Sequence, residues 1–254
     1  MNFLALARTH ARVARRQKGL WFTAIPLTAF AALLAVISPA RPGTGGIEDL
    51  AFSGQIIAMF TGIAYAAAFT DFFTARARLG MDECEAATPA PPLGLRAARI
   101  LGTFSVIVFP SVAVLLVMGV VQTLSGQPWS LPGALAVAAT IVAPAALLAM
   151  SLSALAGALL PRVLGLLAGL LVWFFLIFTS PLLPIPTVNG TLFNVVGDAV
   201  ASGYFGSNTI YPAAGVLGVD GSAGGATGSL AAQLVAIVVL LALGSALAER
   251  ARNH

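Results

Sequence analysis

The chain has 254 residues, of which 59% are hydrophobic and only 9% are charged, whereas about a quarter of the residues of a typical soluble domain are charged. Such a chain lacks the polar surface to cover a soluble core, which excludes an ordinary soluble fold and indicates an integral membrane protein. The net charge of +4 does not indicate a nucleic-acid partner, because twelve of the thirteen basic residues fall in segments predicted on one side of the membrane.

The N-terminal segment, residues 1–18, is basic and interrupted by apolar residues. Drawn as a helix, it is amphipathic and suited to the headgroup region of a membrane. A plain cytoplasmic tail is the alternative. The segment is too long and too charged for the start of a signal peptide, so we expect it to be retained. Its basic residues, the candidate contacts to membrane lipid, are Arg8, Arg12, Arg15, Arg16 and Lys18.

Six apolar stretches follow, each near the roughly 20 residues that a helix needs to cross the hydrocarbon core. They predict an all-α, polytopic fold with six transmembrane helices in a single transmembrane domain over residues 1–254. The predicted spans are 20–38, 51–74, 100–124, 133–160, 163–183 and 230–247.

The distribution of basic residues predicts the orientation, because cytoplasmic loops are enriched in Lys and Arg. Every second connection is basic, and the remaining loops carry only Arg41, beside Glu48 and Asp49. Both termini are therefore expected in the cytoplasm. Besides the N-terminal segment, the basic connections hold Arg76, Arg78, Arg96, Arg99, Arg162, Arg250 and Arg252.

Two connections are longer than turns. The cytoplasmic one, residues 75–98, contains Asp82, Glu83 and Glu85, followed by Thr88 and Pro89. The outer one, residues 184–229, is rich in Gly and Pro at its ends. Its apolar middle, residues 191–205, is predicted to lie on or dip into the outer leaflet.

Several chemistries are excluded by missing residues. The only lysine, Lys18, is followed by Gly and Leu and not by the Ser or Thr of a phosphate-binding loop. His10 and His254 lie near the chain ends, outside the predicted spans, where they cannot form a buried metal site or serve a serine nucleophile. Asp71 and Asp198 are predicted near opposite faces of the membrane, too far apart for an aspartyl protease. We therefore expect no enzyme activity and no cofactor bound by this chain.

Two features allow two interpretations each. Asp71, near the inner end of the second span, is either a proton or cation site or an interfacial acid beside Arg76 and Arg78. The small-residue pairs Gly165/Gly169 and Ser153/Gly157 allow close helix contact, either within the chain or between two copies.

The layout resembles the ABC-2 type family of ABC transporter permeases. In sequence, the resemblance rests on the link between spans two and three, where an acidic stretch, a Thr-Pro pair and then Arg96 and Arg99 precede the third span. It implies a coupling helix that docks on an ATPase subunit, a role carried onto Asp82, Glu83, Glu85, Thr88 and Pro89. It also implies that residues 1–18 form the interfacial connecting helix and that residues 191–205 form half-inserted helices. The Pro-rich run that begins at Pro89 departs from the family and should shorten the coupling helix.

The resemblance implies the membrane subunit of an exporter for an apolar or amphipathic substrate such as a lipid, drug or peptide. ATP and Mg²⁺ would be bound by a separate ATPase subunit, and a second copy or a homologue would complete a homodimer or heterodimer. The Arg-rich, Ala/Gly/Leu-rich composition favours a bacterial inner (plasma) membrane. Two other hypotheses stay open, an ion-coupled secondary transporter and a non-transporting scaffold or immunity protein. Large side chains within the spans that could face a substrate are Phe104, Phe109, Trp173, Phe174, Phe175 and Phe178.

Overall fold

The computed structural model describes residues 3–70, 92–215 and 217–253, and this part of the chain is helical without β-strands. A π-helical turn, Ala138–Val142, joins two of the helices into one continuous helix, Ser130–Leu159. The helices are α1 Phe3–Arg16, α2 Lys18–Ile37, α3 Ile47–Ala68, α4 Pro92–Ile107, α5 Phe109–Leu124, α6 Ser130–Val137, α7 Ala143–Leu159, α8 Arg162–Phe178, α9 Asp198–Phe205 and α10 Ala223–Asn253.

The all-helical character predicted from the sequence is confirmed, and several apolar helices are compatible with a multi-pass membrane protein. In the described residues, four helices are long and apolar enough to cross a membrane: α2, α3, the joined α6–α7 and the Ala223–Leu247 part of α10. A fifth is counted if α4 and α5, which meet at a bend of 45°, form one span. At the place of the predicted fifth span, α8 is apolar but has only 17 residues, or about 25 Å. The count of six spans and the orientation stay predictions.

Prolines account for two irregularities in the helices. Pro110 cannot donate a backbone hydrogen bond, and its ring crowds the carbonyl of Val106, which explains the bend between α4 and α5. Pro144 likewise leaves the carbonyl of Thr140 without its usual donor, and the π-turn lies directly before this proline. The hydroxyl of buried Tyr65 donates to the carbonyl of Ile107 beside the bend, at 3.1 Å.

The core is built around α3, which packs against α2, α6, α7, α8 and α9. Small residues bring these helices together. Gly157 of α7 lies against the carbonyl of Thr70, and Gly169 of α8 lies against the carbonyl of Ala66. Gly165 packs on the backbone of α7 at Gly157. The two small-residue pairs of the sequence therefore make contacts within one chain.

The bundle has two ends of different charge. At one end lie α1, the end of α3, the start of α4, the α7–α8 link and the end of α10, and we call it the basic end. The other, which we call the acidic end, holds the α2–α3 and α5–α6 loops and residues 179–222. Every acidic side chain that the structure describes lies at the acidic end, namely Glu48, Asp49, Asp198 and Asp220. Every described basic side chain except Arg41 lies at the basic end: Arg8, Arg12, Arg15, Arg16, Lys18, Arg99, Arg162 and Arg250.

Candidate functional site

The predicted coupling residues Asp82, Glu83, Glu85, Thr88 and Pro89, together with Asp71, lie outside the described residues. Their roles stay predictions. The described residues on either side, Thr70 and α4, lie at the basic end, where the sequence analysis predicts the cytoplasm.

The predicted interfacial segment forms a separate helix. The chain adopts an extended conformation at Gln17, which divides α1 from α2. One face of α1 packs on α4 at Gly102, where a Cβ atom would lie 2.8 Å from Cβ of His10. The basic side chains on the other face and at the start of α2 are exposed, consistent with an amphipathic helix, while their contact with lipid stays a prediction. These exposed side chains are Arg8, Arg12, Arg15, Arg16 and Lys18.

The six large side chains proposed to face a substrate do not share one cavity. Trp173 is buried in the core, and its Nε1 donates to the carbonyl of Met59 at 3.1 Å. Phe109, Phe174, Phe175 and Phe178 are exposed, and Phe104 is partly buried against the core.

A row of aromatic rings instead crosses the faces of α2, α3 and α8. Phe30 meets Phe60 edge-to-face at 5.4 Å between ring centroids, and Phe60 meets Phe178 at 6.5 Å. Phe178 stacks on Phe174 at 5.3 Å. Because these rings are partly exposed on the described chain, the row is open to lipid or to another protein surface.

A buried polar network centred on Asp198 was not predicted from the sequence. Asp198 is fully buried at the start of α9. One carboxylate oxygen, Oδ1, accepts from Nε2 of Gln55 at 2.7 Å and from the backbone N–H of Ile210 at 2.8 Å. The other, Oδ2, accepts from Nδ2 of Asn194 at 2.9 Å and from the N–H of Tyr211 at 3.3 Å. Four neutral donors thus surround one carboxylate.

Asn194 extends the network to two more helices. Its backbone carbonyl accepts from Nε2 of Gln233 on α10 at 2.7 Å. Its Nδ2 also donates to Oδ1 of Asn189 at 3.0 Å, and Nδ2 of Asn189 donates to the carbonyl of Thr179 after α8 at 2.7 Å. The hydroxyl of Tyr211 donates to the carbonyl of Ile177 on α8. The network therefore links α3, α8 and α10 to residues 179–222.

Burial governs the protonation of this network. It raises the pKa of Asp198 to about 6, and the hydrogen bonds from Ile210, Tyr211 and Gln55 offset only part of that effect. Burial, with a smaller contribution from the negative charge of Asp198, raises the pKa of Tyr211 to about 12. Asp198 is therefore mainly ionised at neutral pH and takes up a proton under mildly acidic conditions.

Asp49, at the start of α3, organises the neighbouring loop. Its Oδ2 forms an ion pair with Nη2 of Arg41 at 2.8 Å and accepts from the N–H of Gly45 at 3.0 Å, while Oδ1 accepts from the N–H of Gly43 at 2.8 Å. Both glycines have positive φ, 73° and 71°, a backbone conformation that other residues adopt with strain. The α2–α3 loop is thus folded around a buried carboxylate.

The basic end has a small cleft between α3, α4, α7 and α10. The hydroxyl of Ser151 in its wall is engaged, since it donates to the carbonyl of Leu147 at 2.7 Å. The wall of the cleft is therefore almost entirely apolar. The cleft is lined by Phe69, Ile100, Met150, Ser151, Ala154 and Leu241.

The polar network could have been suspected from two residues. Gln55 and Gln233 are lone amides in otherwise apolar stretches of predicted spans, and a buried amide needs a hydrogen-bond partner. Asp198 itself gave no such signal, because it lies in a Gly- and Pro-flanked segment that resembles a surface loop.

Comparisons with protein-family models, curated proteins and solved structures gave no match for this chain.

Proposed function

We propose that this chain is the membrane-spanning subunit of an ABC exporter, driven by a separate ATPase subunit that binds ATP and Mg²⁺. The observation that carries the proposal is the arrangement at the basic end. A separate basic, amphipathic helix, α1, packs on the start of α4, directly beyond the link that resembles a coupling helix. The chain resembles ABC-2 type permeases in that link and in the order of its spans. This resemblance agrees with the arrangement at the basic end.

The contact between α1 and α4 is suited to transmit a movement of one helix to the other. Gly102 lets the backbones of α1 and α4 approach closely, so a displacement of one helix shifts the other. An ATPase docked on Asp82, Glu83 and Glu85 would act on the chain that leads into α4. The bend at Val108 then allows α4 to tilt relative to α5.

Because the spans contain few polar residues, a path between them would be mostly apolar, which favours an apolar or amphipathic substrate, such as a lipid, drug or peptide, over an ion or sugar. A second permease copy or a homologue would complete the path. The aromatic row on α2, α3 and α8 is a surface that such a partner could cover, in a homodimer or a heterodimer. In this proposal the complex lies in a bacterial inner membrane.

The test is purification of the tagged chain from its native membrane in mild detergent, followed by identification of any ABC ATPase that accompanies it. We expect the ATPase with the wild-type chain and a severalfold lower recovery with the Glu83→Ala/Glu85→Ala variant. Glu48→Ala, which removes a carboxylate at the acidic end, is the matched control and should leave recovery unchanged.

The possible outcomes answer two separate questions: whether the chain has an ATPase partner, and where that partner docks. Equal recovery with the double variant would keep the ATPase partner but move its docking surface away from Glu83 and Glu85. Absence of any ATPase, even after crosslinking in the membrane, would overturn the proposal.

An ion-coupled secondary transporter is the second candidate, because Asp198 is a buried carboxylate with a pKa near 6. Four protein donors already occupy this carboxylate, which fits a structural role better than an ion site. Transport that stops on addition of a protonophore but continues without the ATPase would favour this candidate over the first.

A further inference from the structure

We propose that the basic side of α1 is a binding surface for the phosphate groups of anionic phospholipids, and that it selects these lipids over zwitterionic ones. Contact of residues 1–18 with lipid of any kind is expected from the sequence, and the arrangement of the side chains favours one class of headgroup. The surface would act in the isolated chain, whether an ATPase or an ion gradient supplies the energy.

The four arginines of α1 share one side of the helix. With 3.6 residues per turn, positions 8, 12, 15 and 16 fall within an arc of about 100°. The side of α1 that carries His10 and Ala11 packs on α4 at Gly102 instead. The basic side chains are exposed, together with the lysine at the start of α2, and point away from the protein: Arg8, Arg12, Arg15, Arg16 and Lys18.

The described chain offers these five side chains no counter-charge. The first acidic residue of the sequence is Glu48, at the acidic end of the bundle, so α1 and α2 contain none. None of the five forms an ion pair with another described residue. Five positive charges between positions 8 and 18 therefore face outward together.

The start of α2 indicates the depth of this surface in a membrane. α2 is long and apolar enough to cross the bilayer, and Phe22 in its first turns is 78% exposed. Beside it, Nε1 of Trp21 donates to the backbone carbonyl of Arg15 at 3.0 Å, which ties the end of α1 to this point. Aromatic side chains gather at the membrane–water boundary. With α2 across the membrane, Arg15 and Arg16 thus lie at the level of the lipid phosphates.

The chemistry of the side chains favours anionic headgroups. A guanidinium group offers two parallel N–H donors to two phosphate oxygens. Each basic residue near an anionic membrane surface strengthens the attraction by about fivefold. A zwitterionic headgroup carries its own ammonium group, which cancels most of this attraction. Five unpaired charges therefore predict a clear preference for anionic lipid.

Exposed apolar side chains favour a membrane over an acidic protein surface as the partner. Leu4 and Val13, which are 62% and 54% exposed, lie on either side of the arginines. Basic residues bordered by apolar ones are typical of helices that lie in the headgroup region, with the apolar side chains reaching the acyl chains. A water-soluble acidic partner would leave these apolar side chains without a matching surface.

Bound lipid would act on more than α1. The close contact at Gly102 joins α1 to α4, which leads to the bend before α5. Anionic lipid that holds α1 at the membrane surface would therefore also set the position of α4. The lipid composition of the membrane thus becomes a factor in the arrangement of the basic end.

The experiment measures which lipid lies beside Trp21. The purified chain is reconstituted in vesicles of phosphatidylglycerol and phosphatidylcholine, in which one lipid at a time carries brominated acyl chains that quench tryptophan fluorescence. Trp129→Phe leaves Trp21 as the reporter at the basic end, and Trp21→Phe leaves Trp129, which is exposed at the acidic end. Trp173 is buried and common to both variants, so it adds the same background. Both leaflets have the same composition, so the direction of insertion does not affect the result.

We expect phosphatidylglycerol to be favoured about fivefold or more beside Trp21, and little preference beside Trp129. The preference beside Trp21 should fall in about 1 M salt, which screens charges beyond about 3 Å.

Charge variants in the Trp129→Phe background test the arginines themselves. Arg15→Gln/Arg16→Gln should lower the preference severalfold. Arg15→Lys/Arg16→Lys keeps the charges and should keep most of it. The control is Arg250→Gln, which removes an exposed charge at the same end of the bundle but on α10, and it should leave the preference unchanged.

Two results would overturn the proposal. One is equal quenching by the two brominated lipids beside Trp21 when all four arginines are present. The other is an undiminished preference when the arginines of α1 are all replaced by glutamine. If that fourfold variant keeps its lipid preference but loses an ATPase in the pull-down, the arginines bind an acidic protein and the lipid assignment is wrong. The vesicles contain no ATPase, so failure to find an ATPase partner does not alter the lipid measurement.

Discussion

The indole ring of Trp173 lies in the space that a side chain at residue 62 would occupy. A Cβ atom at Gly62 would overlap the six-membered ring of the indole and lie 2.7 Å from its Nε1. The same Nε1 donates to the carbonyl of Met59, one turn earlier on α3. Gly62 therefore decides how closely α8 approaches the centre of the bundle.

Substitution of Gly62 by alanine should destabilise the protein, because the ring and the backbone of α3 must separate. Overpacking of this kind costs about 1–3 kcal/mol, which should appear as a lower melting temperature in thermal unfolding of the detergent-solubilised chain. Gly228→Ala is the matched control, since an added Cβ there meets open space beyond its own helix in the described part of the chain, and helix propensity favours alanine there. Equal melting temperatures for the two variants would contradict the close contact between Trp173 and α3.

Removal of the charge on Asp49 should destabilise the acidic end. Asp49→Asn loses the ion pair to Arg41, whose buried Nε has no hydrogen-bond partner among the residues that the structure describes, and weakens the bonds from Gly43 and Gly45. We expect a loss of about 2 kcal/mol or more and faster proteolysis in the α2–α3 loop. The control Glu48→Gln changes the neighbouring acid, whose carboxylate accepts from the hydroxyl of Thr44 at an exposed site. Comparable proteolysis in both variants would show that the ion pair does not fix the loop.

The orientation can be tested with the native cysteine. If the basic end faces the cytoplasm, a maleimide that cannot cross membranes should label Cys84 only after cells are permeabilised. A Cys84→Ser/Ala213→Cys variant should be labelled in intact cells, because Ala213 is exposed at the acidic end. The reverse pattern would invert the proposed topology.

The sequence predicted the positions of the helices well where apolar residues run without interruption. It placed the first span at 20–38, and α2 is Lys18–Ile37. It began the second span at residue 51, four residues after the start of α3, because Glu48 and Asp49 resemble a loop, although Asp49 is buried in an ion pair. The last span was predicted from residue 230, whereas α10 begins at Ala223, in a Gly-rich stretch of low helix propensity that packs on α9.

Tertiary packing decided the features that the sequence could not predict. The bend at Pro110 divides the predicted third span, and no apolar pattern marks such a break. The apolar character of 191–205 predicted a segment that lies on or dips into the outer leaflet, and this stays a prediction. What the pattern did not show is that Val195, Val196 and Val200 are buried within the described chain, while Phe193 and Tyr204 are largely exposed. The contact between Gln55 and Asp198 joins positions 143 residues apart, which no local pattern can anticipate.

The separation of charge between the two ends also has an electrical consequence. An energised bacterial membrane is negative on its inner side, and each unit charge carried across it changes the energy by about 2.3 kcal/mol per 100 mV. The arginines of α1 and Arg250 would all have to cross this field if the chain were inverted. If the chain lies in such a membrane with its basic end inside, as proposed, the voltage would act as a second determinant of its orientation, and one that persists after insertion is complete.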